Sequence, residues 1–292
     1  LDLDTLVLKP MDEVFDLMTA DQPTNQQRLS FAQKFSMWFK NETSTTITTK
    51  LPQKIDFMFT RDYNMIDVTD PPRKLVHQIG VQGGFLLVRP NQHDFDQMVD
   101  IILRGGDNYT IDDGWGGPNL AFGGYYGAGT IQGLASYYYS HVDKFARAVE
   151  LNRCYFNTMA DNPHHFNEDL NRTFCRTLEP MSQCQNCRHT PLDQIYTAHF
   201  TVCGKPDWCD VWDRNWKKKE QCMKLIGEWH KVRLNLEKEW MERFPGYTPE
   251  LHYINATESP RQRLMKTFQG HCRGEDYIPL RYPNSYDRFL IE

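Results

Sequence analysis

The sequence predicts an α/β fold, in which strands and helices alternate along the chain. Short apolar runs typical of strands are followed by segments with helical spacing, and this order occurs twice. The chain of 292 residues is long enough for one large domain with an extension, and 13% aromatic residues provide material for a sizeable core. Because the net charge is −5, no basic surface for nucleic acid is expected.

The first strand and helix are expected at the start of the chain. Residues 1–8 end in an apolar run typical of a strand, and Pro10 followed by Asp12 and Glu13 marks the start of a short helix. Residues 19–54 are rich in Thr, Gln, Asn and Ser, so we interpret them as an inserted surface segment with one helix near residues 27–39.

Regular structure is predicted to resume after this segment. Apolar runs at residues 55–60 and 83–88 indicate two strands, and residues 94–103 have the apolar spacing of a helix. A Gly- and Tyr-rich stretch follows at residues 110–139, and a long helix is predicted over residues 212–244. We therefore expect a first domain over residues 1–215 and a helical C-terminal extension over residues 216–292.

Two carboxylates near the start of the chain suggest a divalent-metal site. Successive side chains in a strand alternate between faces, so Asp2 and Asp4 would point the same way with Cα atoms roughly 6.6 Å apart. Hard carboxylate oxygens suit Mg²⁺ or Mn²⁺, which keep positions open for phosphate oxygens. The alternative is a strand edge with two solvated acids.

The eight cysteines all lie in the second half of the chain, and an even, clustered set favours disulfides in an oxidising compartment. The pair Cys184 and Cys187, with Cys175 nearby, leaves a zinc site as the alternative. Four Asn-x-Thr sequences are glycosylation acceptors if the chain is lumenal, and they begin at Asn41, Asn108, Asn171 and Asn255.

Four segments together resemble glycosyltransferase family 8, which includes glycogenin and galactinol synthases. Residues 1–8 resemble the family's D-A-D-T-L-V-L block, and residues 81–90 are similar to its F-N-S-G-V block. Residues 112–114 stand at the place of D-Q-G, and residues 198–206 resemble H-F-x-G-x-x-K-P-W. The resemblance implies a GT-A fold, a Rossmann-like nucleotide-diphospho-sugar transferase fold, over residues 1 to about 215.

The resemblance also implies the ligands of the metal and of the nucleotide sugar. Mn²⁺, or Mg²⁺, would be held by Asp2, Asp4 and His199. The diphosphate of a donor such as UDP-glucose or UDP-galactose would contact Lys205 beside Gly204. The donor sugar would contact Gln82 and Gly83. Apart from the resemblance, Asp62 and Asn157 are further candidates for binding the hydroxyl groups of the sugar. The reacting carbon would lie above Asp112 and Asp113.

The sequence departs from the family pattern at several of these positions. Gln82 stands where Asn is usual, Gly83 replaces Ser, and Asp113 replaces Gln. Val202 stands where the family has Gly, with Gly204 shifted next to the lysine. These departures bear on the contacts with the sugar and with the phosphates.

The position of the Asp-x-Asp motif leads to a further expectation. In the GT-A fold the first strands precede this motif, so we expect the chain to lack them, to be inactive by itself, and to have any signal or membrane anchor upstream. No run of about eighteen apolar residues and no charged leader is found in the sequence. The Golgi lumen is the expected location, and the cytoplasm is the alternative.

The predicted function is therefore a metal-dependent retaining hexosyltransferase that moves a sugar from a nucleotide sugar, UDP-linked, to an acceptor hydroxyl of a carbohydrate or another molecule. One alternative is an inactive, Cys-stabilised carbohydrate-binding or interaction domain with the same fold. Another is a glycoside hydrolase with Asp112 and Asp62 as its carboxylate pair, although this hypothesis leaves His199 and Lys205 without a role.

Overall fold

The computed structural model describes residues 4–20, 23–35, 51–63, 79–104, 109–110, 114–115, 129–144, 146–168, 171–177, 179–206, 220–244, 272–273 and 276–277. The chain divides into two compact units, Leu1–His199 and Phe200–Glu292. This division lies before the domain boundary predicted after residue 215. Among the described residues, no helix is long and apolar enough to cross a membrane.

The first unit combines helices with mixed and antiparallel sheets, in agreement with the predicted α/β class. Its described elements are β1 (Thr5–Val7), α1 (Asp12–Thr19), α2 (Asn25–Phe35), β2 (Phe57–Arg61), β3 (Val81–Val88), α3 (Gln92–Arg104), α4 (Ile131–Tyr137), β4 (Ala148–Glu150), β5 (His164–Asn167), β6 (Arg172–Cys175) and β7 (Thr197–His199). A π-helical turn, Tyr138–Val142, continues α4, and two 3₁₀ turns, Cys187–His189 and Leu192–Gln194, precede β7.

The core of this unit forms on both faces of a three-stranded sheet with the order β3-β2-β4. The central strand β2 is antiparallel to β3 and parallel to β4. Because side chains alternate along a strand, Met58 packs with residues of α1 and α2, whereas Phe57 and Phe59 pack with residues of α4 and the π-helical turn. Helices on both faces explain why β2 is apolar at successive positions.

The helix expected near residues 27–39 corresponds to α2, but the expectation that this segment lies at the surface is wrong for the apolar side chains of the helix. This helix buries Phe31, Ala32 and Phe35. Phe31 and Ala32 lie four and three residues before Phe35, so both are its neighbours on one helix face. The ring of Phe35 contacts those of Phe156 and Tyr196 edge-on, each with a centroid distance of 5.3 Å. The polar composition of the segment conceals this short apolar stripe. Residues 36–50, which include the hydroxyl-rich run, lie outside the described part.

A cluster of charges joins three separate parts of the first unit around Arg147. Its guanidinium nitrogens lie 2.8 Å from Asp56 Oδ2, 2.9 Å from Asp94 Oδ1 and 2.7 Å from Asp143 Oδ1. Burial alone would lower the pKa of Arg147, but hydrogen bonds to the three carboxylates outweigh burial and raise it. Burial and a hydrogen bond to Asp94 also raise the pKa of Tyr138, to about 12. This cluster ties the segment before β2 to α3 and to the segment before β4.

The second unit is described over residues 200–206, over helix α5 (Glu220–Arg243) and over two short antiparallel strands, β8 (Cys272–Arg273) and β9 (Asp276–Tyr277). A disulfide joins Cys203 to Cys222. The described part of the predicted long helix therefore begins at residue 220, and residues 212–219 lie outside the described residues.

The apolar spacing of this helix predicts a buried face with Met223, Ile226, Trp229, Leu236 and Trp240, and the observed face differs in part. Ile226 is buried as expected, but the buried positions toward the C-terminal end are polar, namely His230, Arg233 and Glu237. Arg233 Nε donates a hydrogen bond to Glu237 Oε1 at 2.6 Å. Because the two charges are paired one helical turn apart, these polar side chains can be buried where the sequence predicted only apolar ones.

Replacing Arg147 with methionine is expected to lower the free energy of unfolding by about 3 kcal/mol. The substitution would leave the carboxylates of Asp56 and Asp94, whose side chains are 0% and 6% exposed, without this partner. Arg104→Met provides the matched control, because Arg104 is 78% exposed and forms an ion pair with Asp100, which is itself 44% exposed. Its effect should stay below about 0.5 kcal/mol. Denaturant unfolding measures both values, and equal effects would contradict the prediction.

Candidate functional site

The pairing of β1 with β7 places Asp4 beside His199. The two strands are antiparallel, with Thr5 opposite His199 and Leu6 opposite Ala198. Asp4 precedes Thr5, so its carboxylate lies next to the imidazole, and Asp4 Oδ1 is 3.2 Å from His199 Nε2. Both side chains are largely buried, with exposed fractions of 16% and 5%. Two of the three predicted metal ligands are therefore brought together by strand register.

Strand β3 passes close to the other edge of the His199 ring, at Gly84. A Cβ atom at Gly84 would lie 2.3 Å from His199 Nδ1 and 2.4 Å from Cε1, well inside contact distance. Thr5 Oγ1 donates a hydrogen bond to the Gly84 carbonyl oxygen at 3.0 Å, which joins β1 to β3 at the same point. Only glycine leaves room for the imidazole here, so the backbone of β3 packs directly against the Nδ1 and Cε1 atoms of the ring that faces Asp4 through Nε2.

Asn157 also packs beside the contact between Gly84 and His199. Its backbone has φ 57°, a left-handed conformation that asparagine tolerates, and its side chain is buried. The amide Nδ2 donates to Thr60 Oγ1 at 3.0 Å, and the backbone N–H donates to Thr197 Oγ1 at 2.6 Å. A Cβ atom at Gly84 would also lie 2.9 Å from Asn157 Oδ1. Asn157, predicted as a sugar ligand, thus has its amide directed into the protein toward Thr60.

A disulfide holds the segment that carries Asn157. Cys154 is joined to Cys187, and Arg153 Nη2 donates a hydrogen bond to the Gln185 carbonyl oxygen at 2.8 Å. On the far side of Asn157, the His199 backbone N–H donates to the Thr158 carbonyl oxygen at 2.9 Å. The segment is therefore attached both to the Cys-rich region and to β7.

The disulfides predicted from the clustered cysteines are confirmed. Besides Cys154–Cys187, the first unit contains Cys175–Cys184. Since Cys184 and Cys187 belong to different disulfides, they have no free thiolates for a metal, and the zinc alternative is wrong.

Two further residues predicted to contact the sugar, Gln82 and Gly83, directly precede Gly84 on β3. Gln82 is buried, and its Oε1 accepts a hydrogen bond from the Gly84 N–H at 2.8 Å. Gly83 is half-buried, and its N–H donates to Gln132 Oε1. The side chain of Gln82 therefore supports the backbone beside Gly84, and Gln132 of α4 supports it from the adjacent residue.

Asp62 lies at the end of β2, where charged side chains are concentrated. It is buried, and it is close enough to Arg176 for its charge to act on that guanidinium. Burial lowers the pKa of Arg176, although the carboxylates of Asp62 and Asp161 act in the opposite direction. Asp161 also pairs with Arg153, at 3.3 Å. Asp62 therefore lies in a polar region, where two carboxylates are offset by the guanidinium groups of Arg153 and Arg176.

A second buried ion pair adjoins Asp62 in the sequence. Arg61 Nε donates to Glu150 Oε2 at 3.0 Å, and the Tyr63 hydroxyl donates to Glu150 Oε1 at 2.5 Å. Burial and the charge of Glu150 raise the pKa of Tyr63 well above its usual value, so the hydroxyl remains a donor. These contacts join the ends of β2 and β4.

The remaining predicted site residues fall into two groups. Gly204 and Lys205 belong to the second unit, and Gly204 has φ 75°, a conformation that favours glycine. The residues Asp2, Asp112 and Asp113 lie outside the described residues, so their predicted roles stay predictions.

The geometry of Asp4 and His199 fits two neighbouring ligands of an octahedral metal ion. Ligand atoms at about 2.1 Å from such an ion, at right angles to each other, lie about 3 Å apart. The observed separation of 3.2 Å between Oδ1 and Nε2 matches this distance. Without a metal ion, the same atoms are within reach of a His–Asp hydrogen bond. In the described part of the chain, no group of three or more His, Cys, Asp or Glu side chains is arranged to hold a metal ion.

The sequence did not reveal the residues that fix this pair. Gly84, Thr60 and Thr197 contact the site residues or the backbone beside them, yet none has a charge or metal-binding group that would mark it. The one available signal was a glycine within a strand, which often indicates a close approach to the backbone.

Comparison with known proteins found no matching family model, no matching curated protein and no matching solved structure.

The substitution Gly84→Ala is expected to lower the free energy of unfolding by about 3 kcal/mol, since its Cβ would collide with the His199 ring. Gly83→Ala, in the preceding residue, is the matched control. Its Cβ would meet Gln132 Cγ at 2.7 Å, and this flexible side chain can move aside at a cost of about 1 kcal/mol. Thermal unfolding measures both, and a larger effect at Gly83 would contradict the geometry.

Removing Cys154–Cys187 by double substitution to alanine is expected to cost more stability than removing Cys175–Cys184. The first disulfide has a sequence separation of 33 residues and the second of 9 residues. Chain entropy in the unfolded state then predicts losses of about 3.7 and about 2.6 kcal/mol. Denaturant unfolding of the two double variants tests this order, and the reverse order would show that strain or residual structure outweighs loop length.

Proposed function

We propose that this protein is a metal-dependent glycosyltransferase of the GT-A type that transfers a hexose from a UDP-linked sugar to an acceptor hydroxyl, with retention of anomeric configuration. The observation that carries the proposal is the Asp4–His199 pair, with 3.2 Å between a carboxylate oxygen and an imidazole nitrogen. The motif resemblance supplies the rest, since the Asp-x-Asp, Gln82-Gly83-Gly84 and His199-to-Lys205 segments occur in the family's order.

The site residues of the first unit would have distinct parts in binding the donor. Asp4 and His199 would hold Mn²⁺ or Mg²⁺ together with Asp2. Such an ion supplies Lewis-acid stabilisation of the negative charge that develops on the departing nucleoside diphosphate. Close packing of Gly84 and Asn157 beside His199 would keep the imidazole in one orientation. Electrostatic catalysis requires groups that are preorganised in this way.

Lys205 and Asp112 complete the proposed chemistry. The motif resemblance assigns to Lys205 a contact with the diphosphate, where its ammonium group would add a second positive charge on the leaving group. Asp112, with Asp113 beside it, would stabilise positive charge at the anomeric carbon, and either Asp112 or a leaving-group phosphate oxygen would take the proton from the attacking hydroxyl. The acceptor is a hydroxyl compound, and a carbohydrate fits best.

The compartment proposed for this reaction is the Golgi lumen or another part of the secretory pathway. Three disulfides are formed among the described cysteines, and structural disulfides persist in oxidising compartments. Lumenal glycosylation of carbohydrates or proteins would be consistent with this environment.

A second candidate function is a carbohydrate-binding or interaction domain that has the same fold but no turnover. The observation against turnover is that two side chains predicted to contact the donor sugar are hydrogen-bonded inside the protein, Gln82 to the Gly84 backbone and Asn157 to Thr60. A binding or interaction surface elsewhere on the same fold does not need these two contacts. In this case the disulfides would stabilise a binding surface rather than a catalytic cleft.

Binding of UDP that depends on Mn²⁺ tests the proposal, and calorimetry on the natural protein with and without the metal measures it. Asp4→Asn keeps the size of the side chain but weakens the metal ligand, so we expect the affinity for Mn²⁺ with UDP to fall by at least about tenfold. Asp12→Asn is the matched control, because Asp12 is an exposed acid in the first turn of α1.

The outcomes separate the two candidate functions. Equal binding by the Asp4→Asn and Asp12→Asn proteins would remove Asp4 from the site, and failure of the natural protein to bind UDP with Mn²⁺ would reject the transferase. Release of UDP from UDP-glucose or UDP-galactose distinguishes an active enzyme from a binding domain. Sugar binding without metal-dependent UDP binding is the result expected for the second candidate.

A further inference from the structure

A short hairpin in the first unit presents an Asn-x-Thr sequence at its turn. Strands β5 and β6 pair only with each other in the described sheets, with Phe166 opposite Thr173 and Asn167 opposite Arg172. Asn171 is the last residue of the turn. Its side chain is exposed, its φ is 46°, and its backbone N–H donates to the Glu168 carbonyl oxygen at 3.2 Å.

The hydroxyl that completes this sequence is equally accessible. Thr173 lies on β6 two residues after Asn171, and its side chain is exposed. The sequence Asn171-Arg172-Thr173 has no proline at its middle position, as the glycosylation acceptor requires. Thus both side chains that an oligosaccharide-transferring enzyme must reach are at the surface of the folded hairpin.

The disulfides near the hairpin are typical of the compartment where this modification occurs. Cys175, the last residue of β6, is bonded to Cys184, and Cys154 is bonded to Cys187 in the same region. Disulfide formation in structural sites and attachment of N-linked glycans both take place in the oxidising lumen of the secretory pathway. Two independent features of this region, the bonded cysteines and the exposed acceptor, therefore agree.

We propose that Asn171 carries an N-linked glycan. In the reaction the amide nitrogen Nδ2 forms a bond to the anomeric carbon of an oligosaccharide carried on a lipid diphosphate. The bond between that carbon and the diphosphate oxygen breaks, the lipid diphosphate leaves with the electron pair, and the amide nitrogen loses one proton. No oxidant or reductant takes part.

A glycan at this turn would also cover an apolar surface. Phe166 is 53% exposed on the strand opposite Thr173, and both edges of a two-stranded sheet have backbone groups that can pair with another chain. A bulky, hydrated group on the turn next to Phe166 would hinder such pairing. This inference is independent of glycosyl transfer, because an inactive domain in the same compartment would have the same modification.

Peptide mapping of the protein purified from the cells that produce it tests the proposal. Enzymatic removal of N-glycans in heavy-oxygen water converts a glycosylated Asn to labelled Asp, and mass spectrometry locates the label. We expect near-complete labelling at Asn171. Asn167, in the same hairpin, provides an internal control because no hydroxyl residue lies two positions after it, and it should stay unlabelled.

Variants produced through a eukaryotic secretory pathway separate the glycan from the turn. Asn171→Gly keeps a residue that tolerates positive φ but removes the acceptor amide, so it should lose the label without loss of folding. Thr173→Val should also lose the label, whereas Thr173→Ser should keep it. Recovery of the Cys175–Cys184 disulfide in each variant shows that the hairpin has folded.

An unlabelled Asn171 in the natural protein would overturn the proposal, even if the secreted recombinant chain were labelled. Retention of the label in Thr173→Val would overturn it as well, because modification would then not depend on the acceptor sequence. Labelling at Asn171 that is lost in Asn171→Gly and Thr173→Val, and kept in Thr173→Ser, supports it.

Discussion

The close contact between Gly84 and His199 is the constraint on which the candidate site depends. A strand backbone can approach an imidazole ring this closely only where no Cβ is present, and the same ring has its Nε2 3.2 Å from Asp4. Strand β3, strand β7 and the beginning of β1 are therefore fixed relative to one another at one point. Any shift of β3 would move the imidazole, and with it the nitrogen that faces Asp4.

Buried hydrogen bonds and a disulfide hold the residues around this point in place. Asn157 and Gln82 contribute buried amides that bond to Thr60 and to the backbone of β3, and the Cys154–Cys187 disulfide holds the segment that carries Asn157. Buried amides are costly unless they are hydrogen-bonded, so each one specifies a single arrangement of the backbone that it contacts. A metal site with such support would need little rearrangement when it binds an ion.

Local sequence patterns predicted the elements but not the contacts between them. The apolar runs near residues 55–60 and 83–88 correspond to β2 and β3, most of whose apolar side chains are buried on the sheet. The helix near 94–103 corresponds to α3, although its Phe95 and Ile102 are exposed while Met98 and Ile101 pack against the core. The helix α2 was predicted but its burial was not, because Phe31 and Phe35 stand in a polar segment. In α5, the Arg233–Glu237 pair permits burial that hydrophobicity alone does not predict. Disulfide connectivity cannot be derived from spacing, and the positive φ of Asn157 leaves no mark in the sequence.

The order of the chain gives the candidate site a kinetic property. Strand β1 opens the described chain and its partner β7 closes the first unit, so Asp4 and His199 meet only after nearly all of that unit has been synthesised. Contacts between distant parts of a chain form late because loop closure precedes them. A nascent polypeptide that has emerged only as far as β4 could bury the central sheet but would have no imidazole to place beside Asp4. Formation of the Asp4–His199 contact then marks the completion of folding in this unit rather than its beginning.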